Sequence, residues 1–137
     1  MPETLEVLEQ RRQRLYQELA ALGDFRSGMI SVNYRKCGKA NCACARADHP
    51  GHGPQYLWNT TQQRKSQAQN LRLGPELEKV ERELENYQQF LSLCRDLVEV
   101  NTRICRLRPL GELPEEKALE QLKKKLQKKY NRRRSKK

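Results

Sequence analysis

Apolar residues are scarce in this chain of 137 residues: 36% are hydrophobic and 6% aromatic, against 33% charged. Ordinary globular domains hold about 45–50% apolar and about 25% charged residues. One large spherical core is therefore excluded, and what remains is enough for narrow seams between long helices and one small cluster beside them. No apolar run reaches the roughly 18 residues of a bilayer span, so no segment is expected to cross a membrane. Acids are nearly missing from one region, since Asp48 is the only carboxylate between Gly28 and Leu73. The chain has only two histidines, His49 and His52. Zinc deaminases need an H-x-E with a P-C-x-x-C, and neither pattern occurs, nor does a glycine-rich phosphate loop. With one carboxylate in that stretch and both histidines in the same cysteine-rich loop, hydrolytic machinery is hard to assemble there, and no enzymatic activity and no small-molecule substrate are expected.

Positive charge is abundant. Net charge is +11, which points to an acidic partner more than to a fold. Residues 1–25 carry net −2, residues 26–70 net +6, residues 71–114 net −1 and residues 115–137 net +8. The opening, MPETLEVLEQ, is acidic and periodic, unlike a secretory signal. The expected location is the cytoplasm, where thiols stay reduced. Five cysteines, clustered three and two, then read as metal ligands or packed thiols rather than a disulfide framework.

Periodicity organises the rest. Leu5, Leu8, Arg12, Leu15, Leu19 and Leu22 follow alternating three- and four-residue steps, which predicts a helix over 3–22 with one apolar face, ended by Gly23. In GMISVNYRK (28–36) the period drops to two, as in a half-buried strand. QYLWNT (55–60) is rich in strand formers, and SQAQNLRL (66–73) is a weaker third strand. Gly74-Pro75 opens a long helix that runs to Arg108. It carries two stripes, one of Leu77, Val80, Leu84, Tyr87, Leu91, Cys94, Val98 and Asn101, the other of Phe90, Leu93, Leu97, Val100, Ile104 and Leu107. At 1.5 Å per residue the first helix is about 30 Å long and the long one about 50 Å, so some 20 Å of the latter, holding the second stripe, is left over. That stretch is expected to be covered by residues 115–130 folding back, by a second chain or by a partner. Cys94 and Cys105 read as packed thiols, and Asn101 as a register device in the seam. Beyond Pro114, KALEQLKKKLQKKY has one apolar edge, and NRRRSKK is too charged to pack. The expected fold class is α+β, mainly helical: a small antiparallel sheet with a zinc-binding loop, an N-terminal helix, a long coiled-coil-like helix and a basic helical tail. The domain boundaries are 1–108 for the helix, sheet and long helix, 109–130 for a basic amphipathic helix and 131–137 for a disordered basic tail.

The connection between the first two strands, CGKANCACARADHPGHGP (37–54), holds Cys37-x4-Cys42-x-Cys44 with His49 and His52 behind. Three cysteines and a histidine are a standard structural zinc set. Gly38, Gly51 and Gly53 let such a loop bend around an ion, and so small a sheet needs a staple. A Cys42/Cys44 redox pair and inert buried thiols are the alternatives, although redox motifs are usually CxxC.

The stretch SGMISVNYRKCGKANCACARADHPGHGPQYLW resembles the core of a prokaryotic domain family of uncharacterised activity. Its members show a strand, then R/K-C-G-K-x-x-C-x-C, then H-G-P with aromatics, a hairpin and a long helix. They are often found with transposons and other mobile elements. The resemblance covers about residues 27–105 and implies that the histidine before Gly-Pro, His52, is the fourth ligand. His49, in the extra stretch ADHP, is the weaker alternative.

Two functions from different classes follow. The first is a zinc-stapled nucleic-acid-binding accessory protein, for DNA or RNA. It would grip phosphates through Arg35, Lys36, Lys39, Arg46, Arg64 and Lys65 around the sheet, and through Lys123, Lys124, Lys128, Arg132, Arg133 and Arg134 in the tail. Tyr34, Tyr56 and Trp58 offer stacking faces, although so small a core is expected to bury at least two of them. The second is an adaptor whose long helix recruits a protein partner or another copy of itself through Leu93, Leu97, Val100, Ile104 and Leu107.

Overall fold

In the computed structural model residues 3–135 are described, with side chains through residue 132. The chain forms two compact units, Met1–Arg106 and Leu107–Lys137.

The first unit opens with helix α1, Leu5–Ala21. The side-chain oxygen of Thr4 accepts the Val7 amide at 3.2 Å and so satisfies one of the free donors of the first turn. Strands β1 (Met29–Arg35), β2 (His52–Gln62) and β3 (Lys65–Leu71) follow, then helix α2, Pro75–Leu107. The three strands form an antiparallel sheet in chain order. β2 starts three residues earlier and ends two later than QYLWNT, because pairing with both neighbours extends it over residues of low strand preference. SQAQNLRL does form a strand, and it begins at Lys65.

Two apolar clusters hold this unit. Ile30, Tyr56, Trp58 and Leu71 project from one face of the sheet onto Leu77, Val80 and Leu84 of α2. The second cluster joins Leu8 and Leu15 of α1 to Leu93, Leu97, Val100 and Ile104 of α2. The helices run antiparallel, for Glu3 meets Arg103 at 2.6 Å while Asn86 donates to the Asp24 carbonyl at 2.9 Å near the other end. This corrects the expected cover of α2. The sheet takes the first half of the long helix and α1 the second, so the two partners together match its length. Leu93, Leu97, Val100 and Ile104 are core residues and not a surface for a partner; Leu107 alone of that set is exposed. The physical reason is the connection: Gly23–Ser27 is too short to carry α1 past the sheet, so α1 lies beyond it on α2.

Arg12 reaches across this seam. Its Nη1 donates to Asn101 Oδ1 at 3.1 Å, and Asn101 Nδ2 bonds back to the Leu97 carbonyl. Asn101 thus pairs with one defined residue of α1, as a register device must. The two helix cysteines are not both packed: Cys94 is half-buried and Cys105 exposed, because they fall on the other stripe, about a quarter-turn from the buried one.

The sheet is pinned to α2 by one polar knot. Buried Glu83 accepts from Lys79 Nζ at 2.8 Å and lies 2.9 Å from Arg26 Nη2, a contact close enough for an ion pair but too poorly aligned for a hydrogen bond. Lys79 first, and then the Arg26 charge, hold the Glu83 carboxyl below its ordinary value against the opposing effect of burial. Arg26 in turn covers the Trp58 ring at 4.5 Å, and Trp58 Nε1 donates to the Ser27 carbonyl at 2.9 Å.

The second unit contains helix α3, Glu116–Ser135. It continues past residue 130, where the sequence reading placed the start of a disordered tail, because lysine and arginine are good helix formers. The rest of that tail, residues 136–137, lies outside the described residues. Leu119, Leu122, Leu126 and Tyr130 form an exposed apolar edge on α3. Among the described residues, no helix is long and apolar enough to cross a membrane.

Candidate metal centre and basic surface

The loop from Cys37 to Gly51 is closed by the sheet itself. Arg35 of β1 pairs with His52 of β2, past a register shift between Asn33 and Arg35. Cys37 therefore leaves the sheet beside the point where His52 enters it. Gly51 makes that closure possible: its φ is +110°, and a Cβ there would lie 2.8 Å from the Arg35 carbonyl carbon. Between these ends the chain turns repeatedly. Cys42 donates its amide to Lys39, and a single 3-10 turn, Ala43–Ala45, carries Cys44 inward. Lys36 Nζ donates to the Arg46 carbonyl at 3.1 Å and ties the two sides of the loop.

This folding brings four ligand atoms together. The sulfurs of Cys37, Cys42 and Cys44 and a ring nitrogen of His52 all lie within 4.8 Å of one another. Cys37 Sγ and Cys44 Sγ are 3.5 Å apart, and Cys42 Sγ is 3.3 Å from His52 Nε2. A tetrahedral ion with bonds of about 2.0–2.3 Å has ligand–ligand edges of about 3.3–3.8 Å, so the group can hold a metal ion with little movement. Cys44 is buried, Cys42 half-buried, and Cys37 exposed. The Cys37 thiol is lowered to about 6 from an ordinary 9.0, first by the Lys39 amide and then by His52 and Cys44. The Cys44 thiol is raised: the Cys37 amide favours its thiolate, but burial and the neighbouring thiols outweigh that.

His49 stands outside this group. Its Nδ1 accepts the Gly51 amide at 2.9 Å within its own turn, so its work is to shape the approach to His52.

The basic residues are distributed rather than gathered. Arg35, Lys36, Lys39 and Arg46 surround the metal loop. Arg64 and Lys65 sit at the β2–β3 turn, the opposite end of the sheet, about 33 Å away along β2. Lys123, Lys124, Lys128 and Arg132 are exposed on α3 in the other unit, while the side chains of Arg133 and Arg134 lie outside the described residues. Of the three rings offered for stacking, Tyr56 and Trp58 pack on α2 and only Tyr34 is half-exposed, near the register shift. The amide-bearing residues of the sheet's other face were not legible as a group in the sequence. Only the register puts Asn33 opposite Gln55, and Asn70 beside them.

The fold and the four-ligand group define a small helix-and-sheet domain with a Cys3His loop at the sheet's end. A family model described as a domain of unknown function (DUF6788) matches residues 5–82, and the chain belongs to that family. No curated protein and no solved structure matches it.

Proposed function

We propose that the chain is a non-enzymatic, zinc-stapled nucleic-acid-binding protein. The observation that carries this reading is the coincidence of two features. A Cys3His group sits at the end of the sheet, and the stretch around it, residues 26–70, carries net +6 with a single acid. Zinc is the metal that best suits three thiolates and an imidazole in a tetrahedron. Four protein ligands fill that tetrahedron, which leaves no open position for a substrate and makes the ion a structural staple. The basic loop and the lysine-rich helix α3 then offer phosphate contacts from two units. The resemblance to a family found with transposons suggests an accessory role in a mobile element.

Salt dependence of binding to duplex DNA tests the reading. Each neutralised phosphate contributes about −0.9 to the slope of log K against log salt. Removal of residues 131–137 is expected to reduce that slope, and joint substitution of Arg35, Lys36 and Lys39 to reduce it further with zinc retained. Binding that ignores salt, or no binding to duplex or single strand at low salt, overturns the proposal.

A second reading keeps the adaptor role on a different surface. Leu93, Leu97, Val100 and Ile104 are buried against α1, but Leu91, Cys94 and Val98 line an open apolar depression on the neighbouring face of α2, and Val98 is 67% exposed.

A further inference from the structure

The sheet has two faces, and only one is used by the core. Alternation along each strand sends Ile30, Tyr56, Trp58 and Leu71 onto α2. The opposite positions form a face of their own. The 2.7 Å hydrogen bond from Asn59 Nδ2 to Ser31 Oγ, between β2 and β1, fixes which residues share it. Asn33 stands opposite Gln55, and Asn70 opposite Leu57, one step further along. All three amides are exposed, and among the described residues none is engaged in a side-chain hydrogen bond.

We propose that this outer face docks in the major groove of duplex DNA, with Asn33, Gln55 and Asn70 on base edges and the two basic ends of the sheet on phosphates. The inference rests on the nucleic-acid reading above and adds its location and the form of nucleic acid. Three arguments carry it. Charge is the first: Arg35 and Lys36 mark one end of the sheet, Arg64 and Lys65 the other, and Asp48 is the only acid in the whole stretch of residues 26–70. Size is the second. Three strands spaced about 4.8 Å apart put the axes of the two outer strands about 10 Å apart, so side chains from all three can point towards a major groove about 12 Å wide. The ends of β2 are about 33 Å apart, close to one duplex turn of about 34 Å.

Chemistry is the third. Asparagine and glutamine pair with the N6 and N7 edge of adenine, which is open in the major groove. Single-stranded nucleic acid is bound through aromatic stacking platforms, and no outer-face position carries a ring: Tyr56 and Trp58 are committed to the core, and Tyr34 alternates with Asn33 onto the side of Ile30 and Val32. The turn at Gln63-Arg64 supports the same use. Both residues adopt positive φ, +50° and +65°, in a hairpin turn where Asn-Gly is the relaxed choice. A strained conformation here places an arginine at the tip of the sheet.

The test uses the full chain, metal-loaded, with a mixed-sequence 24-base-pair duplex and the corresponding single strand, read by fluorescence anisotropy. The variants are Asn33→Ala/Gln55→Ala/Asn70→Ala on the sheet, Arg64→Ala/Lys65→Ala at its tip, and Lys123→Ala/Lys124→Ala/Lys128→Ala on α3. Metal content and melting temperature confirm that each is folded. Selection from a random duplex pool is expected to enrich adenine-containing sites. On the selected duplex the sheet triple is expected to lose about tenfold or more in affinity, while the α3 triple weakens all sequences alike. Wild-type protein that binds duplex while the sheet and tip variants match it overturns the outer-face site and leaves the nucleic-acid reading standing on α3. Stronger binding to the single strand overturns groove docking. No binding by wild type to either strand form overturns both readings together.

Discussion

His52 and His49 are three residues apart, yet only one belongs to the metal group. The difference is where each sits relative to the sheet. His52 is the first residue of β2 and is held opposite Arg35, two residues from Cys37. His49 is spent on its own turn. Cys42→Ser and His52→Ala are therefore expected to lose the metal, while His49→Ala, Cys94→Ser and Cys105→Ser keep it, as measured by metal analysis of purified protein. Retention in Cys42→Ser contradicts the assignment. Acid should act through the same residues. The Cys37 thiol lies at about 6 in the fold against 9.0 ordinarily. A lowered value means that the unfolded chain binds the proton more tightly. The stability it contributes is complete above pH 9, declines as pH falls, and is gone below about 6. A bound cation lowers the thiol further, so metal release, followed with a chelating dye, is expected only below about pH 6, with loss of sheet signal in the same window. Release beginning near pH 8 contradicts it. The residues of this site were legible from C-x4-C-x-C and H-G-P, because metal ligation demands particular atoms at close spacing. The Arg26–Glu83–Trp58 knot was not, because no local pattern links residues that far apart.

Helix and strand positions followed from periodicity to within a few residues, since each element's apolar spacing is a local property. Which stripe of α2 meets which neighbour was not legible. Both stripes are apolar, and the choice between them depends on how far Gly23–Ser27 can carry the chain. The structure makes the two stripes distinguishable by substitution. Leu97→Ala in the seam with Leu8 and Leu15 is expected to cost about 3 kcal/mol, and Val98→Ala on the open stripe less than about 0.5 kcal/mol, both by chemical denaturation. Equal losses contradict the packing. The β2–β3 turn gives an element-scale prediction of the opposite sign. Replacing Gln63-Arg64 by Asn-Gly relieves two positive-φ residues and is expected to raise stability by about 1 kcal/mol while weakening duplex binding. A fall in stability contradicts the turn geometry.

At the scale of the whole molecule, the scarcity of apolar residues explains the architecture. The chain spends its leucines on one seam and one small cluster, and it leaves the far end of the sheet with little apolar support. Val32, at 52% exposed, and Tyr34, at 50%, lie towards that end, beyond the cover of α2. A metal held by the Cys3His group would replace the missing core, for structural zinc sites contribute about 10–16 kcal/mol of apparent free energy. Net charge was legible at once from composition. Its division between the sheet region and the C-terminal helix was legible from the charge of each stretch, but the separation of Arg46 from Arg64 to opposite ends of β2 was not, because only strand pairing sets it. Native mass spectrometry of the full chain, purified under reducing conditions and without added metal, tests the central claim most directly. The account predicts one zinc ion per chain in the folded charge states, lost together with the sheet signal on chelation while the helical signal largely persists. A folded chain at the metal-free mass, with all five thiols freely titratable and the sheet intact, contradicts it.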